Sequence, residues 1–140
     1  MTSNDLGQHQ RAIEDFDQAI RLDPNLGTAY NNRGVAYYRL GQHRKAIEDY
    51  GQAIRLDPEN SAAYNNRGVA YYDLGQYQRA IEDYDQAIRL DRNYSAAYCN
   101  RGYAYYQLND IVRMCRDVKK ACELGYCAGL DWAKEQGYCQ

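Results

Sequence analysis

Five cysteines, two histidines and a recurring pair of adjacent acids are the residues of this chain whose types could do chemistry. Closely spaced Cys and His pairs hold zinc, and a carboxylate beside a histidine can move protons. Cys99, Cys115, Cys122, Cys127 and Cys139 all lie after residue 98, without the close pairing of a zinc site and with neither His9 nor His43 nearby in sequence. No metal and no cofactor is expected. Glu14–Asp15, Glu48–Asp49 and Glu82–Asp83 recur at one spacing, and helix-surface pairs such as Arg44–Glu48 or Arg79–Asp83 would account for them. His9 and His43 occupy equivalent positions on an expected exposed turn. A catalytic centre gathers unlike groups around one pocket. These groups are copies of one another, so no catalytic residue is expected and the chain does not read as an enzyme. Arg113, Arg116, Lys119 and Lys120 form one basic cluster, read as a solvated helix face.

The thiols carry a different expectation. Cys115 and Cys122 are seven residues apart and could share a helix face, which suits small buried core residues. Cys127 and Cys139 flank a C-terminal segment and could pair in an exported protein. The start, MTSNDLGQHQR, has no apolar core and does not read as a secretory signal. The expected location is therefore the cytoplasm, with reduced thiols.

The elements that position these groups follow from a repeat. Residues 28–61 and 62–95 are identical at 25 of 34 positions without a gap, and residues 6–26 match residues 40–60 at 15 of 21. Tyr30, Tyr64 and Tyr98 keep the spacing, as do Gly34, Gly68 and Gly102. Within a unit, Ala29, Tyr30, Arg33, Gly34, Tyr37 and Leu40 form one helical stripe, and Ala46, Ile47, Tyr50, Ala53, Ile54 and Leu56 form another. The short Leu40-Gly41-Gln42 step makes the two helices antiparallel. Asp57-Pro58 closes the unit. Helices are predicted near 8–22, 28–40, 44–57, 62–74, 78–91, 96–108, 112–124 and 129–136. Gly34 and Gly68 interrupt helices, which implies close contact with a second helix, expected at Ala46 and Ala80. Arg33, Arg67 and Arg101 sit beside the core stripe, with stems expected between helices and guanidinium groups bonded to neighbouring carboxylates or carbonyls.

The period and the residues Tyr30, Gly34, Tyr37, Ala46, Tyr50, Ala53 and Pro58 resemble the tetratricopeptide repeat family. The second unit keeps Tyr64, Gly68, Tyr71, Ala80, Tyr84 and Ala87, with Arg92 in place of Pro. The third keeps Tyr98, Gly102, Tyr105 and Ala121, with Met114 and Val118 at the Ala and aromatic positions. The resemblance spans residues 6–128. It implies an all-α, right-handed superhelical solenoid of antiparallel helix pairs. Expected divisions are 1–26 as a second helix alone, repeats at 27–60, 61–94 and 95–128, and a capping helix at 129–140. Leu130, Trp132 and Ala133 would cover the last pair, leaving Lys134, Glu135 and Gln136 in solvent.

The resemblance places the first helix of each unit on a concave wall. Its outward residues, Asn31, Asn32, Val35 and Tyr38, then Asn65, Asn66, Val69 and Tyr72, then Asn100, Tyr103 and Tyr106, are the expected groove for a peptide or partner helix. Some family members clamp a partner's C-terminal carboxylates with Lys, Asn and Arg. Here Asn31, Thr28 and Ala96 hold the Lys positions and Asn100 the Arg position, so that recognition is not expected. The alternative is self-association through Ala12, Ile13, Phe16, Ala19 and Ile20, whose apolar face lacks a preceding helix.

Composition narrows the partners. The chain has 140 residues, net charge -2 and pI about 5.6, which argues against a phosphate-binding surface for nucleic acid. Mean hydropathy is -0.84, with no apolar run of spanning length, so no membrane is expected.

Overall fold

The computed structural model describes all 140 residues. It contains eight helices and no strand: α1 Ser3–Leu22, α2 Gly27–Arg39, α3 His43–Leu56, α4 Ser61–Asp73, α5 Tyr77–Leu90, α6 Ser95–Gln107, α7 Ile111–Glu123 and α8 Ala128–Glu135. The architecture is an all-α solenoid. α2 pairs with α3, α4 with α5 and α6 with α7, and each pair packs on the next through α3 with α4 and α5 with α6. α2 touches α4, α4 touches α6 and α6 touches α8, whereas α1, α3, α5 and α7 do not touch one another. The stack therefore curves with α2, α4, α6 and α8 inside.

α1 begins earlier than its period predicts. Leu6-Gly7-Gln8-His9 and Leu40-Gly41-Gln42-His43 are identical, yet the first is helical and the second holds the α2–α3 turn, where Gly41 has φ +76°. The turn must bring α2 back along α3. α1 packs on α2 and keeps its own copy of the sequence helical. A capping box instead starts the helix at Thr2, whose hydroxyl accepts from the Asp5 N–H while the Asp5 carboxylate accepts from the Thr2 N–H.

The core is built on alanine. Ala46, Ala53, Ala63, Ala70, Ala80, Ala87, Ala97, Ala104 and Ala121 are fully buried, interleaved with Tyr50, Tyr84, Met114 and Val118. Small side chains let the helices approach, and the tyrosines fill what remains. The glycine contact differs from the one expected. A Cβ on Gly34 would lie 2.7 Å from the Tyr50 ring, and one on Gly68 would lie 2.6 Å from the Tyr84 ring. Gly34 and Gly68 make room for a buried tyrosine, not for Ala46 or Ala80.

Arginine–aspartate pairs fasten the units together. Arg33 holds Asp49 with two hydrogen bonds of 2.7 and 2.8 Å, and reaches Asp17 on α1 at 2.8 Å. Arg101 does the same with Asp117 and, at 2.9 Å, with Asp85 on α5. Arg67 holds Asp83 through two bonds of 2.8 Å but has no second acid, because Gly51 stands in the position of Asp17 and Asp85. Asp49 and Asp83, from the second and third acid pairs, are thus the buried partners of an arginine one helix away, where the sequence suggested Arg79 for Asp83, whereas Asp15 of the first pair is exposed. Burial raises the Asp83 carboxyl, and the Asp83 hydrogen bonds hold Arg67 more firmly protonated.

α8 packs on α7 and α6. Ala133 is buried with Met114 and Val118, and Leu130 and Trp132 pack against them. Lys134, Glu135 and Gln136 face solvent. Disulfides join Cys115 to Cys139 and Cys122 to Cys127, and Cys99 is a buried free thiol. This corrects three expectations: Cys127 does not pair with Cys139, Cys115 and Cys122 are not free core thiols, and the cysteines are not all reduced. The earlier units carry no cysteine and Cys139 lies beyond the third, so spacing along the 34-residue period carries no information on which thiols meet. No helix is long and apolar enough to cross a membrane.

Candidate functional site

The inner wall presents the expected positions, but its polar groups are largely paired across units. The Asn66 amide donates to Asn31 at 3.3 Å and the Asn100 amide donates to Asn65 at 3.2 Å. The Tyr38 hydroxyl donates to Asp73, and the Gln107 amide donates to the Tyr72 hydroxyl at 3.0 Å. Each pair spans one repeat plus one residue, so these bonds stitch a first helix to the next one. Burial, then the bond to Asp73, pushes the Tyr38 hydroxyl up to about 12. Asn65 departs from the sequence reading. It is buried and accepts from Asn100, so it holds structure and is not an open groove residue. Asn32 is exposed, whereas Asn31, Asn66, Asn100 and the tyrosines are half-buried.

Three cavities run along this wall. The first, about 360 Å³, is lined by Val35, Tyr38, Arg39, Tyr50, Asn66 and Val69. The second, about 200 Å³, is lined by Val69, Tyr72, Asp73, Tyr84, Asn100 and Tyr103. The third, about 310 Å³, lies between Tyr72, Tyr103, Tyr106, Gln107 and Trp132. Val69 joins the first two, and Tyr72 and Tyr103 join the last two. Sequence reasoning gave Trp132 to the cap alone. It also faces this wall, with its ring 5.9 Å from Tyr103 and 5.0 Å from Tyr106.

The remaining candidates lie away from this wall. Ala12, Ile13, Phe16, Ala19 and Ile20 are half-buried, and α1 has no fully buried residue. The His43 ring packs on Tyr38 as Tyr77 packs on Tyr72, so this histidine serves packing. Arg113 lies over Tyr105 and bonds Asp110 at 2.7 Å. No group of three His, Cys, Asp or Glu side chains is placed to hold a metal ion.

Comparison with known proteins agrees with this geometry. A tetratricopeptide repeat family model matches residues 31–95 and 67–113, and a TPR repeat model matches residues 4–41. Among solved structures, the first TPR of Spaghetti (RPAP3) bound to the HSP90 peptide SRMEEVD is 26% identical with a TM-score of 0.75, covering 78% of this chain and 88% of that one. MamA is 25% identical with a TM-score of 0.80, covering 85% and 70%. The Arabidopsis OM64 TPR domain is 28% identical with a TM-score of 0.76, covering 79% and 92%. A search of curated protein sequences finds no match.

Proposed function

The chain belongs to the tetratricopeptide repeat family, and from that premise we propose that its concave wall grips an extended peptide or the apolar face of a partner helix. As a member it is a protein–protein interaction scaffold and not an enzyme. The observation that supports the groove is the unbroken row of cavities over α2, α4, α6 and α8, joined through Val69, Tyr72 and Tyr103. Asn66 and Asn100 donate their amides to the neighbouring helix and keep their carbonyl oxygens for a ligand's N–H. Tyr38, Tyr72 and Tyr106 offer broad contact with little side-chain entropy to lose. Asn31, Asn32, Val35, Val69 and Tyr103 complete the wall.

The SRMEEVD peptide of the Spaghetti relative is not extended to this chain. Asn31, Thr28, Ala96 and Asn100 occupy the positions where a carboxylate clamp places its cations. The Cys115–Cys139 and Cys122–Cys127 bridges favour oxidising surroundings over the cytoplasm.

A peptide-display screen tests the groove. Selected peptides should lose binding with Asn66→Ala and Tyr72→Ala, and binding that survives both changes places the ligand elsewhere. One observation favours a second reading, self-association. α1 buries no residue fully, while its counterparts α3 and α5 bury a row, including Tyr50 and Tyr84. Light scattering over a concentration series decides it, because a strict monomer at high concentration removes that reading.

A further inference from the structure

We propose that the second and third cavities together form a subsite for a cationic side chain, lysine or arginine, of the groove-bound partner. The proposal rests on the groove reading above and adds the chemistry of one position within it.

The first and second cavities are the same six positions one repeat apart. Four are chemically unchanged: Val35 and Val69, Tyr38 and Tyr72, Tyr50 and Tyr84, Asn66 and Asn100. Two differ. Arg39 is replaced by Asp73, and Val69 by Tyr103. The charge therefore inverts and an aliphatic wall becomes aromatic at the same step. The third cavity extends that wall with Tyr106 and Trp132, whose ring stands at 87° to Tyr103 and 89° to Tyr106. Neither cavity is lined by a Lys or Arg, and Asp73 is the only carboxylate.

This set fits one charge sign. Ring faces carry negative potential, and a cation seated on one gains about two- to thirtyfold in affinity. Asp73 is exposed and accepts from a neutral hydroxyl, so its negative charge stays uncompensated. An acidic side chain would meet that charge directly. An apolar one would cover it without a partner. The fold already seats its own guanidinium groups this way, with Arg67 over Tyr64 and Tyr71. The third cavity, about 310 Å³, has room for a guanidinium or ammonium head.

Trp132 is the only tryptophan, so its fluorescence reports on this site directly. The probes are five-residue, end-blocked peptides of glycine with Arg, Lys, Glu, Leu or Pro at the centre. Arg and Lys peptides should give a saturable change, Glu none, and Leu and Pro peptides should bind several-fold more weakly. Asp73→Arg and Tyr103→Val install the residues that the first cavity already carries, so the fold accommodates both. Each should weaken the Arg peptide about fivefold or more. The proposal is overturned if the Leu or Pro peptide binds as tightly as the Arg peptide, if either variant leaves Arg-peptide affinity unchanged, or if cationic peptides give no saturable response. A display-selected peptide that needs Asn66 and Tyr72, lacks basic residues and leaves Trp132 unmoved overturns this subsite alone. Loss of dependence on both Asn66 and Tyr72 overturns the groove as well.

Discussion

Gly51→Asp should stabilise the protein by completing its arginine–aspartate ladder. Arg33 lies between Asp17 and Asp49, and Arg101 between Asp85 and Asp117, but Arg67 has Asp83 alone. A Cβ on Gly51 would sit 3.9 Å from the Arg67 Nη1 with no closer neighbour, so a carboxylate fits without clash. Its counterparts Asp17 and Asp85 are 38% and 48% exposed, which limits each such ion pair to about 0.2–1 kcal/mol. Replacing a mid-helix glycine by Asp adds a few tenths of a kcal/mol more, roughly. The sum, about 0.5–1.5 kcal/mol, corresponds to a rise in Tm of about 2–5 °C for a chain of this size. Gly51→Asn has the same shape and propensity without the charge, so the difference between Asp and Asn isolates the ion pair. Thermal melts at low and high salt provide the assay, because exposed pairs are screened at about 1 M ionic strength. If Asn stabilises as much as Asp at low salt, or if the difference survives high salt, the ladder reasoning fails.

Four further outcomes follow from the same contacts. Asp83→Ala removes a buried carboxylate and leaves the half-buried Arg67 guanidinium without its two bonds, and should cost about 1.5–3 kcal/mol, against at most about 1 kcal/mol for the exposed Asp85→Ala; equal costs in denaturant melts would contradict the burial argument. Gly68→Ala presses a methyl group into the Tyr84 ring, and overpacking of about 1–3 kcal/mol outweighs a helix-propensity gain of about 1 kcal/mol; a stabilised variant would show that the ring yields. Thiol titration under denaturing, non-reducing conditions should find Cys99 alone, and five reactive thiols would remove both bridges. Tyr38 is raised to about 12, and burial raises Tyr50, Tyr84 and Tyr103 further. Since unfolded tyrosine titrates near about 10, the stability these groups supply is complete below that pH and is lost as pH rises through and beyond 12. Phenolate absorbance and helical circular dichroism should then change together, and ionisation of all 16 tyrosines near pH 10 with helices intact would refute this.

The helices were legible because two signals coincide: a 3.6-residue stripe within each helix and a 34-residue recurrence between them. What the sequence hid was context. Leu6-Gly7-Gln8-His9 reads as a turn by identity with its downstream copy, yet a capping box at Thr2 and Asp5 starts the helix ahead of it and carries it through. Asp49 and Asp83 looked like surface partners of residues on their own helix, because sequence distance favours local pairs. Their arginines are sixteen residues away, and only the stacking of helices brings them within reach. Asn65 and Asn66 are neighbours in sequence, yet the curvature of the wall buries one and leaves the other half-open. The inversion from Arg39 to Asp73 was visible as a pair of letters, but it acquired meaning only once both lined equivalent cavities.

The central claim is that the inner wall, and not the outer helices, is the recognition face. Amide and side-chain NMR of the protein with a display-selected peptide tests it most directly. The account predicts shift changes concentrated on Asn66, Val69, Tyr72, Asn100 and Tyr103. Changes concentrated on the exposed faces of α3, α5 and α7, with those five residues unmoved, would contradict it.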